Sequence, residues 1–136
     1  MPLRHWFGAF RVVAFVPQRL RGEDSFPVAR LEHGAQIFAM TDDVAERARK
    51  IGGTTLHSVS DISRNQRLKD NNAEFVSPKE MLGELCADNE QLTRFLRSTH
   101  EICDRHNDVA TASLIENWID ETERRTWFLS EIVTNL

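Results

Sequence analysis

The chain has 136 residues, 40% of them hydrophobic and 28% charged, with a formal net charge of −4. That balance suits one domain with its own core and excludes a protein that coats nucleic acid by charge alone. No apolar run approaches the roughly 20 residues that span a bilayer, and Arg11 and Pro17 break up the N-terminal stretch as a secretory signal, so a cytoplasmic protein with no membrane partner is expected.

Residues 1–39 carry five Arg against three acids, while residues 40–136 carry 12 basic and 18 acidic side chains. An acidic body attracts cations better than phosphates. The first stretch, FGAFRVVAFV from Phe7, reads as a strand. Pro17, Gly22, Pro27 and Gly34 then interrupt any period, so residues 7–40 are expected to be irregular.

A helix is expected to end at Gly52-Gly53. Val44, Ala45, Ala48 and Ile51 are its apolar points. Arg47, Arg49 and Lys50 complement the dipole at its C-terminus, and Gly is the usual residue just past a helix end. Asp42 and Glu46 stand four apart on it, hence on one face. Two converging carboxylates repel unless a cation or a proton lies between them. The same spacing also occurs on ordinary solvated helix faces.

A short helical pattern follows from Ser60 to Leu68, with Ile62 and Leu68 as its apolar points. The next helix covers residues 78–106: Ser77 caps it, Pro78 suits its first position and Glu80 completes a capping box. Apolar residues recur through it at Met81, Leu82, Leu85, Cys86, Leu92, Phe95, Leu96, Thr99, Ile102 and Cys103. Asn107 ends it and Asp108 caps a last helix from Val109 to about Thr134. The stripe expected there is Val109, Ala112, Ile115, Trp118, Ile119, Thr122, Leu129, Ile132 and Val133. So short a break makes these two helices pack antiparallel. The long crossover before Ser77 joins parallel helices, which is the ferritin-like arrangement. The fold class expected is therefore all-α, a ferritin-like four-helix bundle with one long crossover. It forms a single domain over residues 1–136, with 41–136 as the helical core.

Cys86 and Cys103 fall within one helix and cannot reach each other, so both are read as reduced. Cys103 and His106 form one C-x-x-H, which alone does not make a zinc site. Neither Glu-x-x-His nor His-Glu-x-x-His occurs. Trp118 and Trp127 are read as core or interface packing, and His100 and His106 as surface residues near a helix end.

From about Asp42 to Glu131 the chain resembles Dps, the ferritin-like DNA-binding protein of starved cells. The matching stretches are DDVAERARKIGG, SDISRNQRLKD, SPKEMLGEL and DVATASLIENWIDETERRTWFLSEI. His5-Trp6 resembles the His-Trp that opens the family's iron-site motif. The resemblance implies a hollow shell of twelve subunits that oxidises Fe(II), preferably with hydrogen peroxide, and stores the ferric product. It also implies a stress-protective role, cytoplasmic or nucleoid-associated, and in many members DNA binding. Its ferroxidase site lies between two subunits. Asp42 and Glu46 match the Asp-x-x-x-Glu pair that one subunit supplies, His5 matches the first histidine of the other, and Trp6 would stand beside the iron.

The match fails where the family places a His and an Asp upstream of that pair. Those positions hold Pro27 and Leu31, and His33 does not have the spacing. Most of the first helix, which precedes the His-Trp in the family, is missing. A local change of reading frame across residues 7–40 would account for the gap, and translating the other frames of the coding DNA tests that. Ferroxidase activity is implied only if the shared site is complete. The alternative is a Dps-like assembly or DNA-binding protein that has lost its chemistry. DNA binding itself draws no support from a lysine-rich tail, because Lys50, Lys69 and Lys79 are the only lysines, and Arg19 and Arg21 form only a weak cluster.

Overall fold

The structure, a computed structural model, describes residues 27–135, with side chains from residue 33 onward. These residues form four α-helices: α1 (Pro27–Lys50), α2 (Val59–Asn65), α3 (Pro78–Arg105) and α4 (Val109–Thr134). The all-α class holds, and no strand occurs among the described residues. One expectation is corrected. The stretch 7–40 is not irregular from Pro27 onward, because α1 begins there. Proline fits the first helical position, where its missing N–H loses no intrahelical bond. Gly34 is carried inside the helix at a cost of about 1 kcal/mol. The FGAFRVVAFV segment lies outside the described residues.

The chain falls into two compact units, one ending at Asn71 and the other beginning at Asn72. In the first, α1 buries Ile37, Met40, Val44 and Ala48. Steps of three and four residues keep these on a single helical stripe. The helix ends in a Schellman turn. Gly53 N–H donates to Ala48 O at 2.8 Å and Gly52 N–H to Arg49 O at 3.0 Å, which satisfies carbonyls that the helix end would leave open. Gly52 has φ +81°, a left-handed conformation that costs a side-chain-bearing residue about 1–2 kcal/mol. Gly53 is needed for another reason: a Cβ there would lie 2.9 Å from the Ala48 carbonyl oxygen.

The short α2 is capped by Ser58, whose side chain accepts from Asp61 N–H at 3.1 Å. The expected pattern over 60–68 thus shrinks to Val59–Asn65. Leu68 is buried beyond the helix end, whereas Ile62 is exposed.

In the second unit, α3 and α4 form an antiparallel hairpin. The capping box at its start is present in full. Ser77 N–H donates to Glu80 Oε2 at 2.9 Å and Glu80 N–H donates to Ser77 Oγ at 3.3 Å. The turn between the helices takes only three residues, His106 to Asp108. Asn107, at φ 55°, occupies the left-handed position. Asp108 N–H then returns to Cys103 O at 2.9 Å, while the Asp108 carboxylate caps Thr111 N–H at 3.1 Å. One residue thus closes α3 and opens α4.

The seam buries Asn89, Leu92, Leu96 and Cys103 from α3, and Thr111, Ala112, Ile115, Trp118, Thr122, Arg125 and Leu129 from α4. Alternating steps of three and four residues make a near-heptad stripe on each helix. Of the stripe expected on α4, Val109, at the first position, is 75% exposed; Trp127, read as core or interface packing, is 62% exposed and so is not in the core of the described residues. Both cysteines lie in α3 and are free thiols. Burial pushes the Cys86 thiol up from its ordinary value.

Candidate metal centre

The helical register of α1 sets the geometry of the acids. At about 100° per residue, Asp42 and Glu46 lie opposite the stripe formed by Ile37, Met40, Val44 and Ala48. Both are exposed, as that register requires. Phe38, one turn before Asp42, lies on the same side and is 66% exposed. Residues four apart on a helix have Cβ atoms roughly 6 Å apart, so the two carboxylates can reach one ion. Glu46 already has a partner, because Lys50 Nζ stands 3.0 Å from its Oε2. Lys50 was legible only as a helix-end cation, although Glu followed four residues later by Lys is itself a known pairing signal.

The other sequence candidates divide clearly. His5 and Trp6 lie outside the described residues. Positions 27 and 31 lie within α1, fifteen and eleven residues before Asp42; a Pro and a Leu there bring no donor atom. Cys103 is buried while His106 is exposed, so this C-x-x-H does not converge. No group of three or more His, Cys, Asp or Glu side chains among the described residues is placed to hold a metal ion. Among the described residues, then, Asp42 and Glu46 are joined by no third metal-ligating side chain.

Two further polar clusters escaped sequence reasoning. His100 is half-buried rather than a plain surface residue. Its Nε2 meets Glu116 Oε1 at 2.9 Å and its Nδ1 meets Asp104 Oδ2 at 3.2 Å. The two carboxylates sit on opposite ring nitrogens, so the three groups do not face a common point. In the hairpin seam, Arg125 is 2% exposed. Its Nε donates to Asn89 Oδ1 at 3.0 Å and its Nη2 to Thr122 Oγ1 at 2.8 Å. Asn89 Nδ2 in turn donates to Leu85 O and Thr122 Oγ1 to Trp118 O. Burial pushes the guanidinium down to about 10, opposed by nearby Glu121. It therefore remains a cation at neutral pH.

These helices, with a carboxylate pair on an exposed face of α1 and no metal cluster among the described residues, define a ferritin-like protein. The family model for the ferritin-like domain matches residues 31–136, and the chain belongs to that family. Its fold is that of Dps. The structure aligns with Dps from Thermosynechococcus elongatus at a TM-score of 0.87 and 21% identity, covering 96% of this chain and 85% of that one. Dps from Listeria innocua aligns at 0.85 and 15% identity, over 96% and 91%. Among curated proteins, an uncharacterized low temperature-induced protein of Nostoc is 29% identical over 75% of this chain and 58% of its own length. DNA protection during starvation protein 1 of Deinococcus radiodurans is 24% identical over 73% and 48%. The chain thus spans only about half to three-fifths of the curated relatives it matches. No helix among the described residues is long and apolar enough to cross a membrane.

Proposed function

We propose that this is an iron-binding and iron-storing protein of the Dps type, and that Asp42 and Glu46 of one copy hold ferrous iron against a second copy. The observation that carries the reading is their common placement on the exposed face of α1, in line with the exposed Phe38 and opposite the buried stripe. A second copy on that face would bury the phenyl ring and bring its own donors to the acids. A symmetric contact would build two such sites at once.

Ferrous iron is the substrate. Carboxylate and imidazole ligands suit it, and open coordination positions admit an oxidant. His5 of the second copy would supply the imidazole, with Trp6 beside it. Two ferrous ions each give one electron to hydrogen peroxide. The O–O bond breaks and two protons from solvent complete two water molecules, so no hydroxyl radical is released. The ferric product is stored in an oligomer, expected to be a dodecamer, and cell and DNA are protected from peroxide. This single ferritin-like domain would act in the cytoplasm, with nucleoid association depending on a DNA contact.

A second reading has its own observation. α1 is helical through positions 27 and 31, yet these are Pro and Leu, so the partner's half of the site is short of two ligands. On this reading the protein assembles and binds iron weakly without oxidising it. Anaerobic titration with Fe(II), followed by peroxide, separates the two. Ferric absorbance that rises over repeated additions supports the oxidase. Oligomers that form and bind iron with no ferric turnover support the non-catalytic assembly.

A further inference from the structure

Lys50 occupies the carboxylate that the metal needs. Its Nζ lies 3.0 Å from Glu46 Oε2, and both side chains are 64% exposed. The two residues stand one helical turn apart with Glu first, the favourable order. Lys50 is the last residue of α1. The Gly52-Gly53 turn fixes the backbone just beyond it through the bonds to Arg49 O and Ala48 O. The ammonium is therefore tethered within reach of Glu46 in every folded chain.

A lysine so placed acts on a divalent cation in two ways of the same sign. It competes for the Glu46 oxygens, and it repels the incoming charge from a few ångströms away. Because the pair is exposed, the ion pair itself is weak, so a divalent ion can displace it. The repulsion between a unit and a double charge persists after displacement, reduced by solvent.

We infer that Lys50 is a built-in competitor at the Asp42–Glu46 site. It holds Glu46 while metal is absent, swings away as metal binds, and sets the affinity lower than the two acids alone would give. This rests on the reading of Asp42 and Glu46 as iron ligands. It makes loading reversible at low free iron, which suits a site that passes its metal onward.

The test is equilibrium dialysis of the full chain against cobalt(II), which binds like ferrous iron but is not turned over. Lys50→Gln is expected to bind about three- to tenfold tighter than the parent. Lys50→Arg, which keeps charge and pairing, is expected to match the parent. A merely structural role for Lys50 would weaken binding on substitution, so tightening is diagnostic. Lys50→Gln with parental affinity, in a protein whose binding is lost on Glu46→Gln, overturns the role of Lys50 and leaves the site standing. Binding that survives Glu46→Gln unchanged overturns the site, and the Lys50 inference with it.

Discussion

Arg125 Nε donates to Asn89 Oδ1 at 3.0 Å, which ties α4 to α3 by a charged hydrogen bond between two buried side chains. The bond fixes register, because sliding either helix by one turn would set the guanidinium against Leu92 or Leu85 instead of the Asn89 acceptor. Buried ionic groups that set register are a well-attested use of an otherwise costly interaction.

Single and double substitutions of this pair are expected to be strongly non-additive. Asn89→Leu leaves a buried guanidinium short of an acceptor and costs about 2–3 kcal/mol. Arg125→Leu costs less, because it removes the charge along with its burial penalty. The double variant is expected to regain much of the loss, giving a coupling of about 1–3 kcal/mol in urea melts. Additive effects would show that the two side chains do not depend on each other.

The helix ends make a second set of predictions. Gly52→Ala is expected to cost about 1–2 kcal/mol, since its φ of +81° is left-handed. Gly53→Ala is expected to cost as much for a different reason, the 2.9 Å approach to Ala48 O. Asn107→Gly, at φ 55°, is expected to leave thermal stability unchanged or slightly raised, whereas Asn107→Val lowers it. Asp108→Ala removes the cap of α4 and costs about 1 kcal/mol. Chemical denaturation of each variant checks the series.

Acid sensitivity is expected at the start of α3. The bonds from Ser77 hold the Glu80 carboxyl below its ordinary value of 4.5. A carboxyl depressed in the folded state contributes stability that is present above its unfolded value and is lost as pH falls through the folded one. The stability gap between the parent and Glu80→Gln is therefore full at neutral pH and closes as the pH drops below 4.5. A gap that persists unchanged in acid would show that the capping box does not depend on the charge.

Adding donors to α1 tests whether positions 27 and 31 limit the proposed oxidation. Pro27→His with Leu31→Asp places an imidazole and a carboxylate at positions four apart on one helical face. Peroxide-dependent ferric formation is expected to rise about tenfold or more, a change in line with what site completion brings to metal centres. Equal rates in both proteins would mean that oxidation, if present, uses other ligands.

What the sequence made legible follows the range of the interactions. The Ser77–Glu80 box and the Asp108 cap are written within three or four residues, and both stand in the structure as expected. Gly52-Gly53 marked the end of α1 for the same reason. Pro27 and Gly34 misled in the opposite direction: each is a breaker in isolation, and each is tolerated here by position and by the burial of Ile37 and Met40 on one stripe. Arg125 was illegible because its partner, Asn89, lies 36 residues away on another helix, and a buried arginine looks like a surface one until that partner is placed. For the site, the spacing of Asp42 and Glu46 was visible as a pattern. Their outward direction needed the stripe of α1.

The most direct test compares ferrous binding by the parent with binding by the Asp42→Asn/Glu46→Gln double variant under anaerobic conditions, with native mass measured on both. The account predicts saturable binding by an oligomer of the parent and at least about a tenfold loss in a variant of the same mass, in keeping with the removal of both anionic donors. Equal binding by the two proteins would contradict it.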